Sequence, residues 1–173
     1  MSGRHIPRIY YANALHTGAV VPLDAGTAHH LTRVLRMQAG DAVIVFNGEG
    51  GEYLARIHSS SKAETQIEIG PQQSTQRESP LQITLLQAVV RAERMDLSIG
   101  KAVELGVYAI QPLMLTRSQG MKTTQLQRKE KHWQAVAQSA AEQSGRTIRP
   151  DVYSTCSLTD WLAKQSAYDL KLL

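Results

Sequence analysis

Residues Gln87–Arg117, QAVVRAERMDLSIGKAVELGVYAIQPLMLTR, decide the fold class. The run Ile83–Val90 leading into them is apolar on both faces, which suits a strand covered by helices on two sides. From Arg94 to Leu105, Met95, Ile99, Ala102 and Val103 recur at helical spacing and make one apolar face. Gly106 stands where a helix end takes a left-handed residue, and Val107 restarts an apolar run. Strand, crossover helix and second strand form the unit of a parallel α/β sheet, which takes ligands at the carboxyl ends of its strands. The helix also carries a polar stripe, Arg94, Ser98 and Lys101, with Glu104 one turn on. Their spacing places all four on one face, and two readings stand: a salt-bridged surface or a functional face.

The strand–helix rhythm continues downstream. Strands are predicted over 82–90, 108–115 and around 150–154, with a last one beginning at Tyr168. The helix between the second and third opens at Thr124, with Gln127 completing a capping box. It buries Leu126, Trp133, Val136, Ala137 and Ala140 and ends at Gly145. Ser157 with Asp160 marks the next helix start in the same way. Such alternation predicts a parallel sheet with helices on both faces. Asp169–Leu173 reads as an apolar strand, and a bare strand edge there would be sticky, so the sheet is expected to be incomplete.

Upstream, GPQQSTQRESP (residues 70–80) has the polar composition of a linker. The expected organisation is therefore a domain over 1–70, a linker over 71–80 and the α/β region over 81–173. The first domain mixes short strands, 8–12, 19–22, 42–46, 53–57 and 66–69, with one helix. Thr27 is the expected cap of that helix, which runs to Met37 with Leu31, Val34 and Leu35 inward. NGEGG (47–51) predicts a hairpin turn. Arg4, Arg8, Arg33 and Arg36 are expected to point outward, and Arg33 and Arg36 share a helix face.

Composition bounds the function. Of 173 residues, 42% are hydrophobic and 20% charged, the balance of a soluble globular protein. No apolar run is long enough to span a bilayer and the N-terminus lacks a signal-peptide core, so a cytoplasmic protein without a membrane partner is expected. The single cysteine, Cys156, excludes an intramolecular disulfide and a cysteine-based zinc site. The histidines show no HxxH or HxxxH spacing, so no metal is expected. The net charge of +4 is concentrated in residues 119–149, which reads either as a phosphate-binding face or as a solvated helix surface. No G-x-G-x-x-G, P-loop or G-x-S-x-G pattern occurs.

One further cluster stands out, Glu142-Gln143-Ser144-Gly145-Arg146 at a helix C-terminus. Carboxylate, amide and guanidinium groups crowd a junction where simple capping would suffice. Beyond Gly145, Arg146 is expected to reach a phosphate or base edge, and Gln143 to hydrogen-bond a nucleobase.

With these residues the chain resembles the RsmE-type family of 16S ribosomal RNA uridine-N3 methyltransferases, within the knotted SPOUT superfamily. The matching segments are Ile6-Pro7-Arg8-Ile9-Tyr10, HLTRVLRM over His30 to Met37, Arg77-Glu78-Ser79-Pro80-Leu81, Arg94-Met95, Lys101 with Glu104-Leu105-Gly106-Val107, and Glu142 to Arg146. They stand in the family's order and spacing. The resemblance implies an N-terminal PUA-like RNA-binding β-barrel followed by an incomplete SPOUT-type parallel α/β sheet domain. It implies S-adenosyl-L-methionine as cofactor, 16S rRNA of the small ribosomal subunit as partner and a homodimer at full length. Family members continue through Gly-Pro-Glu-Gly-Gly and Leu-Gly-x-x-x-Leu-Arg-x-Glu-Thr segments that build the knot and most of the cofactor pocket. Nothing in this sequence corresponds to them, so the main cofactor loops are expected beyond Leu173 and the chain alone is expected to be inactive. An RNA-binding fragment without catalysis is the alternative. Arg146 and Gln143 are the expected holders of the target nucleotide, and Glu142 is a base candidate. Arg94 and Arg117 are expected at phosphate or at the partner subunit, and Arg8, Arg33 and Arg36 on the RNA backbone.

Overall fold

The computed structural model describes residues 6–61, 64–75, 77–115, 123–163 and 168–170. It is mixed α/β and divides into two compact units. One comprises 1–79 with 141–149, the other 80–140 with 150–173.

The first unit is built on a five-stranded sheet. Its strands are β1 (Arg8–Tyr10), β2 (Val20–Pro22), β3 (Ala42–Phe46), β4 (Glu52–Ser60) and β5 (Thr65–Gln73), in the order β1-β3-β4-β5-β2. β1 runs parallel to β3, and the other pairings are antiparallel. Alternate residues turn inward, as strand geometry requires. Val43 and Val45 of β3, Ala55 and Ile57 of β4, and Ile67 and Ile69 of β5 form the core with Ile9, Leu15, Leu23 and Leu31. Each fully buried Val, Ile or Leu contributes about 1.5–3 kcal/mol.

The stretch expected as linker over 71–80 begins as strand, because β5 runs on to Gln73. Gln72 and Gln73 are exposed while their backbone still pairs with Tyr53 and Glu52 of β4, so composition there reports solvent and not a loop. Gly70 lies within β5, opposite a bulge between Tyr53 and Ala55. A Cβ at this position would stand 2.2 Å from the Leu54 carbonyl oxygen, a distance no side chain tolerates.

The first helix also departs from expectation. Asp24, not Thr27, caps α1 (Ala25–His29), its Oδ1 accepting from the Gly26 and Thr27 amides at 2.9 and 3.0 Å. The next turn, His30–Val34, is a π-helix closed by the Leu35 amide on the His30 carbonyl at 3.0 Å. That wider turn breaks the 3.6-residue period. Leu31 stays buried, but Val34 and Leu35 swing out to 59% and 43% exposure. Arg36 then takes φ 55°, a left-handed conformation uncommon for a residue with a Cβ.

The second unit holds a parallel sheet of β6 (Thr84–Ala88), β7 (Ala109–Met114), β8 (Asp151–Val152) and β9 (Cys156–Ser157). β6 and β7 are joined through α2 (Ala92–Glu104), which buries Met95, Ile99 and Val103 as its periodicity predicts. α3 (Thr123–Ser144) buries Trp133, Ala137, Ala140 and Ala141, leaving Leu126 and Val136 half-buried. Ser157 caps α4 (Leu158–Ala163), its Oγ accepting from the Asp160 amide at 3.0 Å. The expectation of a doubly buried 83–90 strand is corrected: β6 is half-buried throughout, and β7, paired on both sides, is the buried strand. Pro112 has no N–H to give, and on that flank β7 pairs with β8 only through Ala109–Ile110 and with β9 only through Leu113–Met114. Gln111 spans the gap, its side-chain amide donating to the Ser154 carbonyl at 2.9 Å. Tyr168–Leu170 form no strand, and the expected continuation over 171–173 lies outside the described residues.

Candidate functional site

The site grows from the end of α3, where Gly145 takes φ 79° and releases the chain. From there to Arg149 the backbone is gripped by ionised side chains of the first unit. Glu78 is the centre of the grip. Its Oε1 accepts from the Thr147 and Ile148 amides at 2.8 and 3.0 Å. Its Oε2 accepts from Arg146 Nε at 3.0 Å and Nη2 at 2.7 Å. Burial alone would raise the Glu78 pKa, but the bonds from Arg146, Thr147 and Ile148 outweigh it and hold the carboxyl below its ordinary range. Glu78 is therefore a carboxylate at neutral pH.

The carbonyls of the same turn are taken from the other side. Arg77 Nη1 donates to the Gly145 oxygen at 3.1 Å, and Arg8 Nη2 to the Arg146 oxygen at 2.9 Å. Both guanidinium groups share Glu52, which is ion-paired to Arg8 and lies 3.3 Å from Arg77. Arg8 also lies over the Phe46 ring, 5.3 Å from its centroid. Upstream, the Tyr10 amide donates to Glu142 Oε1 at 3.0 Å. Downstream, the Arg149 guanidinium sits 4.5 Å from the centroid of the Tyr10 ring. A turn whose donors and acceptors are both engaged by charges is set in one geometry.

This arrangement corrects two expectations. Arg8 does not point outward: its side chain is 7% exposed, because β1 directs it at Glu52. Arg146 does not extend past Gly145 into solvent: it is 8% exposed and committed to Glu78. Gln143 is exposed, and among the described residues its amide makes no hydrogen bond. Glu142 is half-buried. Arg33 and Arg36 are exposed at the π-helical turn and have no carboxylate partner among the described residues. In the second unit Arg94 is exposed on α2, while Lys101 and Glu104 pair with each other at 2.7 Å. Arg117 lies outside the described residues.

Sequence reading missed Glu52, Arg77, Glu78 and Arg149. The signal available was the charged pair Arg77-Glu78 inside an otherwise neutral polar stretch. Its partners stand up to 70 positions away, beyond the reach of any local pattern. Among the described residues no group of three or more His, Cys, Asp or Glu is arranged to hold a metal ion, and no helix is long and apolar enough to cross a membrane.

Comparison with known proteins fits this architecture. Residues 77–173 match the RNA methyltransferase domain family, and residues 23–69 match the RNA methyltransferase PUA domain. Ribosomal RNA small subunit methyltransferase E of Buchnera aphidicola from Acyrthosiphon pisum is 30% identical over all of this chain, which spans 69% of that protein. The enzyme of the same name from Synechocystis is 34% identical over 84% of the chain, which spans 46% of its length. Among solved structures, ribosomal RNA small subunit methyltransferase E of Neisseria gonorrhoeae, bound to S-adenosyl methionine, superposes with a TM-score of 0.85 at 34% identity. That match covers 94% of this chain and 67% of the other. A Legionella pneumophila protein solved with SAM bound gives 0.91 at 31% identity, covering 97% and 69%. With the domain matches lying in order along the sequence, the chain belongs to the RsmE-type family of ribosomal RNA methyltransferases.

Proposed function

We propose that the protein transfers a methyl group from S-adenosyl-L-methionine to N3 of a uridine in 16S rRNA of the small ribosomal subunit. The observation that carries the reading is the gripped turn 145–148, which fixes the end of α3 while leaving the Gln143 amide exposed and without a partner among the described residues. An amide offers both a donor and an acceptor, the complement of a uracil edge. Gln143 then holds the base. Arg146, bound to Glu78, keeps the turn in place from behind. Glu142 is the carboxylate that takes the N3 proton, and the Tyr10 amide sets its orientation. Positioning a base against a reactive methyl group is the larger part of such catalysis.

The exposed apolar Val90 and Leu115 follow the carboxyl ends of β6 and β7, where α/β sheets take ligands. They fit the flat apolar face of an adenosyl group. When bound, the cofactor supplies the electrophilic methyl. Arg33, Arg36 and Arg94 are exposed cations suited to the RNA backbone, and Arg117 belongs to the same proposal. So do the homodimer and the cytoplasmic setting that the resemblance implies.

The test is nucleoside mass spectrometry on small subunits lacking the modification, incubated with S-adenosyl-L-methionine and the full-length enzyme, because the 173-residue chain alone is expected to be inactive. The expected product is 3-methyluridine, and Gln143→Ala lowers its rate by more than tenfold with unchanged thermal stability. Methylation at another atom, or RNA binding without methylation, refutes the assignment.

A further inference from the structure

Beside the Glu78 grip the first unit carries a cavity of about 370 Å³ that no step above uses. It exceeds the roughly 300 Å³ at which ligand pockets begin. One wall is the bare backbone of Gly50 and Gly51, both at positive φ in the β3–β4 hairpin. The facing wall is the end of β5 and its exit, with Gln72, Ser74 and Thr75. Glu78, Thr147 and Ile148 close it.

The chemistry of this lining is selective. Among the described residues no lysine or arginine contributes to it. The one ionised group among the described lining residues, Glu78, already accepts from Arg146, Thr147 and Ile148. A phosphate would meet a carboxylate and no lining cation, so an anion is disfavoured there. The open functions are neutral: among the described residues the Gln72 amide and the Ser74 and Thr75 hydroxyls make no side-chain hydrogen bond. Together they offer donors and acceptors on one wall, with the apolar Ile148 on another. Gly51 is part of the design. A Cβ there would come within 3.1 Å of Gln72 Nε2 and of the Gln73 carbonyl, so only glycine lets Gln72 lie against the hairpin.

We propose that this cavity takes one unstacked nucleobase from a single-stranded stretch of RNA, with Gln72, Ser74 and Thr75 reading its polar edge. Proteins that recognise RNA by sequence take splayed bases into sites of this kind, using amides and hydroxyls on the base edge. The proposal rests on the reading of the chain as an RNA-modifying enzyme and adds a base contact separate from the methylated nucleotide.

Oligouridylate and an abasic ribose-phosphate strand of equal length and charge distinguish the possibilities when titrated into the protein at matched salt. Wild type is expected to bind oligouridylate about tenfold tighter, equivalent to about 1.4 kcal/mol. Gln72→Ala combined with Thr75→Ala lowers that preference to the part owed to Gln143, while affinity for the abasic strand and its salt dependence stay unchanged. Circular dichroism checks that the doubly substituted protein is folded; Ser74→Ala, a single exposed change, supplies a second and smaller loss of preference. Equal wild-type binding of both strands overturns the pocket alone. Binding of neither overturns the RNA reading on which it rests. A preference undiminished by the double substitution also overturns the pocket.

Discussion

The two polar clusters on this chain look alike in sequence and differ in where their charges lie. Around the end of α3, the side chains of Arg8, Glu52 and Arg146 are 7%, 3% and 8% exposed, and each pairs with a residue distant in sequence. On α2, Lys101 and Glu104 are 61% and 34% exposed and pair three residues apart. Buried charges that lose a partner cannot fall back on water, whereas exposed ones can. The first cluster therefore dictates geometry, and the second only decorates a helix.

The strongest attempt to break this contrast is Glu78→Ala. It strands the buried Arg146 guanidinium and the part-buried Thr147 and Ile148 amides, and denaturant unfolding should report a loss of about 3–5 kcal/mol. If the loss falls below about 1 kcal/mol, the grip is no more than surface decoration. Acid titration gives a smaller effect. The folded-state pKa of Glu78 lies below its unfolded value of 4.5, so its contribution is full above that pH. It drains away as pH falls below 4.5 towards the folded pKa, and Glu78→Gln should flatten that part of the stability profile. Arg77→Ala comes next, because this arginine is 45% exposed and Glu52 keeps Arg8; about 1 kcal/mol is expected from thermal melts. Lys101→Ala should cost less than about 0.5 kcal/mol, a difference that vanishes in high salt. A larger, salt-resistant loss would place the α2 stripe in the same class as the grip.

Legibility in the sequence followed the same division. α2, β7 and the Ser157 cap were readable because periodicity, a C-terminal glycine and a capping pair all act within a few residues. The Glu142–Arg146 cluster was readable as unusual. What it does was not, since the partners of Arg146 and Gly145 lie 68 positions upstream in a stretch whose polar composition mimics a linker. Arg8 was misjudged for the same reason: a three-residue strand gives no hint that Glu52 faces it. The π-helical turn was hidden because Val34 and Leu35 continue an α-helical pattern that the wider turn does not follow.

The proline in β7 has a consequence for how the sheet tolerates change. Because β8 and β9 grip the strand on either side of Pro112 and not continuously, the backbone pairing lapses after the Tyr153 amide, which donates to the Ile110 carbonyl at 2.9 Å, and resumes at Cys156. A one-residue slip in an unbroken pairing would turn every side chain to the wrong face. Here an insertion between Ser154 and Thr155 is expected to cost the bond from the Thr155 amide to Glu130, 2.7 Å long, and to leave the two short pairings in their own alignment. Pro112 thus acts as an expansion joint, isolating the start of α4 from length changes in the segment before it.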